Sequence, residues 1–288
     1  MNKPRKRMFL LLRIGLFLLT VYVLLRLFEY KQIFQPSRKM DSTPGQLGRP
    51  FEDLFIPVEN GQRINAWYFP ATNTASPVML VCHGNAGNIS DRLDLAALLL
   101  EAGAGVLLVE YRGYGRSDGK PGEERTYRDA QAAYHWLIAK GVAGTNIIAY
   151  GESLGGGIVS ELAVREAVGG LILQSTYTSV TALGAELFPW LPARLVSTIK
   201  YNTRARLPRL HVPVLILHSR HDDLIQFHHA EENFAAANEP KFLREIGGGH
   251  NDGLFVSRPA MLAAVREFLQ NPIVNHSHVQ AAPVPGSG

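Results

Sequence analysis

Apolar residues along the chain fall into short runs that are separated by longer stretches with helical spacing. Strands that are apolar throughout and alternate with helices are typical of a mainly parallel sheet whose two faces are covered by helices. The pattern therefore predicts an α/β fold. The predicted strands span residues 78–82, 105–110, 147–150, 170–174, 214–218 and 242–246. The predicted helices span residues 92–100, 123–139, 154–168, 229–237 and 259–269.

Two segments depart from this alternation. Residues 51–69 alternate apolar and polar positions on both sides of Asn60-Gly61, a strong hairpin signal, so we expect an antiparallel pair at the sheet edge. Residues 175–212 are too many for a plain connection. Their aromatic and proline residues, concentrated at 187–192, suit a lid over an apolar substrate, and the alternative is an additional packed helix without substrate contact.

The N-terminal segment is almost wholly apolar from residue 8 to residue 28, with an arginine near each end. A helix of that length spans about 30 Å, the thickness of a bilayer core. Because residues 26–30 lack a small-residue cleavage site, we predict an uncleaved signal anchor rather than a cleaved signal peptide or an interfacial helix. The basic cluster at residues 3–7 favours a domain on the extracytoplasmic (periplasmic) side, whereas basic residues at 31–39 oppose that orientation.

Composition is consistent with one large domain. The 288 residues are 46% hydrophobic and 19% charged, as in a globular protein with a full core. Much of the net charge of +4 comes from the N-terminal cluster, so we predict no nucleic-acid partner. The predicted units are a membrane anchor at 1–30, a linker at 31–50, the α/β domain at 51–270 and a disordered tail at 271–288.

A single cysteine, Cys82, excludes an intrachain disulfide. It lies in an apolar strand beside His83, so we interpret it as a small buried hydrophobic residue. A catalytic cysteine would need exposure and a partner that stabilises its thiolate.

The segment Gly151-Glu152-Ser153-Leu154-Gly155 lies between a predicted strand and a predicted helix. A serine in the middle of G-x-S-x-G at such a turn is typical of a nucleophile elbow, whose sharpness requires glycine two residues before and two residues after the serine. The helix begins at once, so the N–H of Leu154 is free to face an oxyanion. Ser153 is therefore the candidate nucleophile, and an ordinary strand-to-helix turn is the alternative.

A serine hydroxyl needs a general base, and the base needs a carboxylate that orients it. His250 lies in a glycine-rich loop between the last predicted strand and the last predicted helix, which makes it the candidate base. Asp222 follows the penultimate strand and is the preferred acid, with the adjacent Asp223 as the alternative.

Potential metal ligands also cluster around this acid loop. They fall at a strand end and at a helix start, so one tetrahedral shell would need several independent coincidences. We therefore predict no metal site. The ligands considered are His218, His221, Asp222, His228 and His229.

A second oxyanion donor is expected from the loop after the first parallel strand, where small residues allow close backbone approach to a ligand. We assign it to the backbone N–H of Asn85, with Ala86 as the alternative. His83, at the start of this loop, is interpreted as a structural residue whose side chain hydrogen-bonds within the loop.

Four motifs in order resemble the serine hydrolases of the α/β-hydrolase fold: HGNAGN at 83–88, EYRGYGRSDG at 110–119, GESLGG at 151–156 and GGGHND at 247–252. Within that fold, residues 51–270 are similar to a subgroup of often membrane-anchored proteins that includes uncharacterised bacterial hydrolases and eukaryotic protein depalmitoylases.

The resemblance implies a triad of Ser153, Asp222 and His250, an oxyanion hole formed by Asn85 and Leu154, and structural roles for Arg112 and Ser117 in the turn after the second parallel strand. One departure concerns the acid loop. Members often have glycine after the strand-end histidine and proline after the isoleucine, where this chain has Ser219 and Gln226.

These inferences predict a membrane-anchored serine hydrolase that cleaves an ester or thioester with a lipophilic acyl group and needs no cofactor. A serine peptidase could use the same triad, although no motif for binding a peptide terminus is evident. A binding protein on a hydrolase scaffold is the third alternative. A haloalkane dehalogenase is disfavoured, because its elbow carries aspartate where this chain has Ser153.

Overall fold

The computed structural model describes residues 3–73 and 75–271. The tail predicted at 271–288 lies outside the described residues except for Asn271. The strands are Gln35–Pro36 (β1), Glu52–Pro57 (β2), Arg63–Phe69 (β3), Val78–Cys82 (β4), Ala86–Gly87 (β5), Gly105–Val109 (β6), Ile147–Glu152 (β7), Gly170–Gln174 (β8), Val214–Ser219 (β9) and Lys241–Ile246 (β10). The helices are Lys3–Ile33 (α1), Leu93–Glu101 (α2), Glu123–Ala139 (α3), Leu154–Arg165 (α4), Val180–Leu187 (α5), Ala193–Val196 (α6), Thr203–Arg206 (α7), His228–Ala236 (α8), Gly253–Val256 (α9) and Arg258–Gln270 (α10).

Within the part of the chain that the structure describes, the large sheet has the strand order β10-β9-β8-β7-β4-β6-β3-β2. The strands from β10 to β6 pair in parallel. The hairpin of β2 and β3 adds to β6 antiparallel at one edge. Both the predicted α/β fold and the predicted edge hairpin are confirmed.

Alternate residues of each central strand supply two hydrophobic cores, one on each face of the sheet. In β4, Val78, Leu80 and Cys82 pack in the core beneath α3 and α4. Met79 and Val81 pack in the opposite core beneath α2 and α10. Cys82 is fully buried, as predicted, and burial raises the pKa of its thiol.

The N-terminal helix α1 has two parts with different surroundings. Its residues 8–24 are exposed, and the segment Arg7–Ile33 is long and apolar enough to cross a membrane. Its C-terminal end packs on the α/β domain, and the next residue, Phe34, is only 3% exposed. The helix thus continues three residues into the segment predicted as a linker, and β1 then pairs with β5.

The segment predicted as a lid, residues 175–212, contains the short helices α5, α6 and α7. Its α5 end lies against α1: the rings of Phe28 and Phe188 are 5.2 Å apart, and the ring of Trp190 is 6.5 Å from that of Phe28. The α5 end of the insertion therefore packs against the C-terminal part of α1.

Candidate active site

The turn between β7 and α4 places Ser153 in a conformation that non-glycine residues rarely adopt, with a φ of 51°. A Cβ at Gly151 would clash with the backbone of Gly156, and one at Gly155 would clash with the carbonyl oxygen of Cys82. Both glycines of the motif are thus required by direct backbone contacts. The hydroxyl of Ser153 lies at the carboxyl edge of the sheet, where the loops after β4, β9 and β10 meet.

The structure brings the predicted nucleophile, base and acid together in one hydrogen-bonded row. Ser153 Oγ lies 3.1 Å from Nε2 of His250. On the other side of the ring, Nδ1 of His250 lies 2.9 Å from Oδ2 and 3.1 Å from Oδ1 of Asp222. An Nδ1–H donated to this carboxylate leaves the lone pair of Nε2 facing the serine hydroxyl.

The carboxylate of Asp222 is held in its charged form by several donors. Burial by itself opposes ionisation, but hydrogen bonds from His250 and from the backbone N–H groups of Ile225 and Leu224 outweigh it and lower the pKa of Asp222. A carboxylate that stays ionised can accept the Nδ1–H of His250 throughout the neutral pH range.

Asp223 occupies a different position from its neighbour. Its Oδ1 accepts the backbone N–H of His250 at 3.0 Å, and its side chain is exposed. Of the two aspartates that sequence spacing left open, Asp222 faces the imidazole ring and Asp223 supports the loop that carries it. Ser219, the departure from the related motif, donates its hydroxyl to the carbonyl of Gly248 and so ties the acid loop to the histidine loop.

The loop after β4 approaches Ser153 closely, because a Cβ built on Gly84 would lie 3.6 Å from Cβ of Ser153. Asn85 and Leu154 border one cavity with Ser153. Leu154 is the first residue of α4, so its N–H has no partner within the helix. Asn85 and Leu154 thus lie beside the serine, and their role as oxyanion donors stays a prediction.

His83 has two partners in the structure. Its Nδ1 lies 2.8 Å from the carbonyl oxygen of Gly84, as expected within the loop, and its Nε2 lies 2.9 Å from Oε1 of Glu110. The contact of His83 with Glu110 was not predicted from the sequence. The sequence does show a carboxylate at the end of an otherwise apolar strand, and a buried carboxylate needs a hydrogen-bonding partner.

Two cavities flank Ser153 and His250, with contrasting linings. On the Ser153 side, a cavity of about 190 Å³ is bordered mainly by apolar residues, among them Val180, Leu183 and Ile225. On the His250 side, a cavity of about 230 Å³ is bordered by a bidentate ion pair between Arg92 and Glu152, both distances being 3.1 Å. Sequence analysis did not identify this ion pair.

The metal ligands considered from the sequence are not gathered into one shell. His218 donates from Nε2 to the carbonyl of Ile225, whereas His228 and His229 lie beside Glu186 of α5. Nδ1 of His229 accepts the backbone N–H of Thr178, so in the neutral ring Nε2 carries the proton that faces Glu186. This arrangement is a hydrogen-bonded link between α5 and α8.

Several known proteins are similar to this chain in sequence or in structure. A family model described as Hydrolase_4, serine aminopeptidase S33, matches residues 73–207. Uncharacterized protein Rv2307c of Mycobacterium tuberculosis is 40% identical over 225 residues, which cover 77% of this chain and 80% of that protein. Alpha/beta hydrolase domain-containing protein WAV2 of Arabidopsis thaliana is 29% identical over 258 residues, covering 80% of this chain and 83% of that protein. Among solved structures, the esterase Pf2001 of Pyrococcus furiosus superposes with a TM-score of 0.68 at 20% identity, covering 83% of this chain and 97% of that one.

The close contact at Gly155 generates a stability prediction. We expect Gly155→Ala to destabilise the protein by about 1–3 kcal/mol, the usual range for overpacking, because the added methyl meets a backbone carbonyl that cannot move without displacing β4. Thermal unfolding of the full chain in detergent measures the effect. Gly184→Ala is the matched control: its Cβ would lie 3.6 Å from Cβ of Ala193, so unfolding should be unchanged or shifted upwards. A Gly155→Ala protein as stable as wild type would contradict the prediction.

Proposed function

The chain belongs to the α/β-hydrolase family, and from that premise we propose that it is a membrane-anchored serine hydrolase that cleaves carboxylic esters or thioesters with a lipophilic acyl group. The observation that carries the proposal is the hydrogen-bonded row of Ser153, His250 and Asp222 at the carboxyl edge of the sheet. Similar solved structures include an esterase of Pyrococcus furiosus and an esterase domain of Rhodothermus marinus, which agrees with this class of reaction.

In the proposed reaction, Ser153 Oγ attacks the acyl carbonyl while Nε2 of His250 accepts the hydroxyl proton. Asp222 holds the Nδ1–H tautomer and stabilises the imidazolium. The N–H groups of Asn85 and Leu154 bind the oxyanion, with Ala86 as the alternative to Asn85. His250 then donates its proton to the leaving group, and water, deprotonated by His250, releases the acyl group from Ser153. No cofactor enters these steps.

The two cavities suggest how the substrate is oriented. Because His250 protonates the leaving group, the leaving group must lie on the His250 side, next to the ion pair of Arg92 and Glu152. The acyl group then enters the apolar cavity on the Ser153 side. An apolar wall favours a hydrocarbon chain at this position.

A serine aminopeptidase is the second candidate, since the matching family model carries that description. In that reaction the acyl group is an amino acid, so its free ammonium would enter the cavity on the Ser153 side. The described residues that line this cavity include no aspartate or glutamate to pair with it. Lipophilic acyl esters are therefore the better match.

The apolar helix α1 supports membrane attachment by length and composition. We place the N-terminus in the cytoplasm and the domain on the extracytoplasmic side, since Lys and Arg residues are retained on the cytoplasmic side and residues 3–7 are strongly basic.

A fluorophosphonate probe tests the nucleophile. We expect the probe to label the wild-type full chain, and Ser153→Ala and His250→Ala to abolish both labelling and nearly all hydrolysis of p-nitrophenyl esters. Ser160→Ala is the matched control, because this buried serine of α4 donates to the carbonyl of Gly157 and accepts from Arg206, without contact to the triad. The variant should still be labelled at Ser153. Failure of the folded wild type to react would favour a binding protein, and turnover of aminoacyl anilides but not of acyl esters would favour the peptidase.

The neighbouring aspartates provide a second test. Asp222→Asn should lower kcat by about 10⁴-fold, the loss seen when a triad acid no longer holds the correct imidazole tautomer. Asp223→Asn should change kcat little, because the amide oxygen can still accept the N–H of His250. Steady-state kinetics on one ester compares the two variants directly, and the reverse ranking would assign the acid to Asp223.

Reporter fusions test the orientation. Alkaline phosphatase fused after residue 271 should be active in a bacterial host and green fluorescent protein at the same site should be dark, because the junction is extracytoplasmic. Replacement of the basic residues at 3–7 by glutamine should weaken this bias. An inactive alkaline phosphatase fusion together with a fluorescent green fluorescent protein fusion would establish the opposite orientation.

A further inference from the structure

A second apolar cavity adjoins the one beside Ser153. It lies between the C-terminal part of α1 and the helices α5 and α6, and its volume is about 70 Å³. It begins at Ile33, beside the first cavity, and reaches Leu25, eight residues or about 12 Å back along α1. The residues that border both cavities are Gln32, Ile33, Val180, Gly184 and Phe188.

The two charged residues at the border of this second cavity pair with each other. Arg26 and Glu29 form an ion pair at 2.7 Å, and Ser197 donates to Glu29 at 2.6 Å. The remaining wall consists largely of apolar side chains, such as Phe28, Leu191 and Val196. The space thus offers no free charge to a ligand and suits a hydrocarbon chain.

The two adjoining cavities form a cleft between α1 and the insertion, and hydrogen bonds hold these two walls together. The Glu29 carboxylate of α1 accepts the backbone N–H groups of Thr198 at 2.9 Å and Ile199 at 3.2 Å, in addition to the hydroxyl of Ser197. Arg26 also donates to the carbonyl of Val196. The cleft between α1 and the insertion is therefore formed before any ligand arrives.

The far end of the cleft opens beside the apolar surface of the protein. Residues 7–24 of α1 are exposed. On the insertion, Trp190 and Leu195 are 72% and 86% exposed, and the Trp190 ring lies beside Phe28. Exposed apolar side chains of this kind, with a tryptophan beside the end of a helix long enough to cross a membrane, are typical of a membrane interface.

We propose that this cleft holds the acyl chain of the substrate and receives it from the bilayer in which α1 is anchored. The ligand is thus a long-chain acyl ester or thioester whose chain resides in the same membrane. The proposal rests on the proposed function, in which Ser153 is the nucleophile, because Ser153 borders the first of the two cavities. In this arrangement α1 is both the anchor and one wall of the acyl-binding site.

Gly184 provides the test, because it borders both cavities and a larger side chain there would fill their junction. For Gly184→Leu, the ratio of kcat/KM for p-nitrophenyl dodecanoate to that for the butyrate should fall about tenfold, since each methylene excluded from an apolar site costs about a factor of four. Ala185→Leu, one residue along the same helix and outside both linings, should leave the ratio unchanged. An unchanged ratio in Gly184→Leu would overturn the proposal while leaving the esterase assignment intact.

A binding measurement separates this proposal from catalysis. Full-length Ser153→Ala is reconstituted in phosphatidylcholine vesicles that contain a palmitate analogue with a photoreactive diazirine near the end of its chain. Cross-links should appear on the α5 segment Val180–Leu187 and decrease when Gly184→Leu is added. Labelling confined to residues 8–24 would show only contact with lipid and would overturn the cleft. Labelling of α5 in a protein whose wild type shows no esterase activity would support the cleft and reject the proposed reaction.

Discussion

The backbone contact between the start of α4 and the end of β4 is the constraint on which the rest of the site depends. Three consecutive glycines allow other elements to reach the helix surface: a Cβ would meet Cys82 of β4 at Gly155, Thr176 at Gly156 and Tyr201 of the insertion at Gly157. Each glycine costs up to about 1 kcal/mol of helix propensity relative to alanine. The gain is that the strained residue Ser153, the loop after β4 and the insertion converge on one point. The N–H of Ser153 donates to the carbonyl of Gln174 at 2.9 Å, which ties this residue to the end of β8.

The loop that carries the proposed oxyanion donor is fixed by the motif at 110–119. The Nδ1–H of His83 donates to the carbonyl of Gly84, and the N–H of Asn85 lies on the opposite side of that same trans peptide. Both ring nitrogens of His83 lie beside oxygen atoms, Nδ1 beside the carbonyl of Gly84 and Nε2 beside the carboxylate of Glu110. Tyr111 and Tyr114 donate their hydroxyls to the carbonyls of His83 and Asn85, at 2.7 and 2.8 Å. A donor aimed in advance is the property that oxyanion stabilisation requires.

The fold was predictable from the sequence because buried parallel strands are apolar throughout, and this pattern is local. Ser153 and His250 were predictable as candidates because each lies in a glycine-rich turn after a strand, so position along the chain nearly determines position in space. The choice between Asp222 and Asp223 was not predictable from the sequence, because adjacent residues differ in space mainly in the direction of their side chains. The pairing of Glu110 was not predicted, because its partner His83 follows the neighbouring strand β4 and only the strand order brings the two residues together. The ion pair of Arg92 and Glu152 was not predicted for the same reason, because the two residues are 60 positions apart in the sequence.

The N-terminal helix shows why a segment's composition does not reveal its full role. An anchor that served only as a tether could be joined to its domain by a flexible connection. Here only Phe34 separates the end of α1 from Gln35, whose N–H donates to the carbonyl of Asn85 at 3.0 Å. Glu29 meanwhile fixes the same helix to residues 197–199 of the insertion. Because both connections are short, a displacement of α1 relative to the domain would disturb the loop beside Ser153 and the acyl-side cavity together. The helix is thus part of the fold of the site.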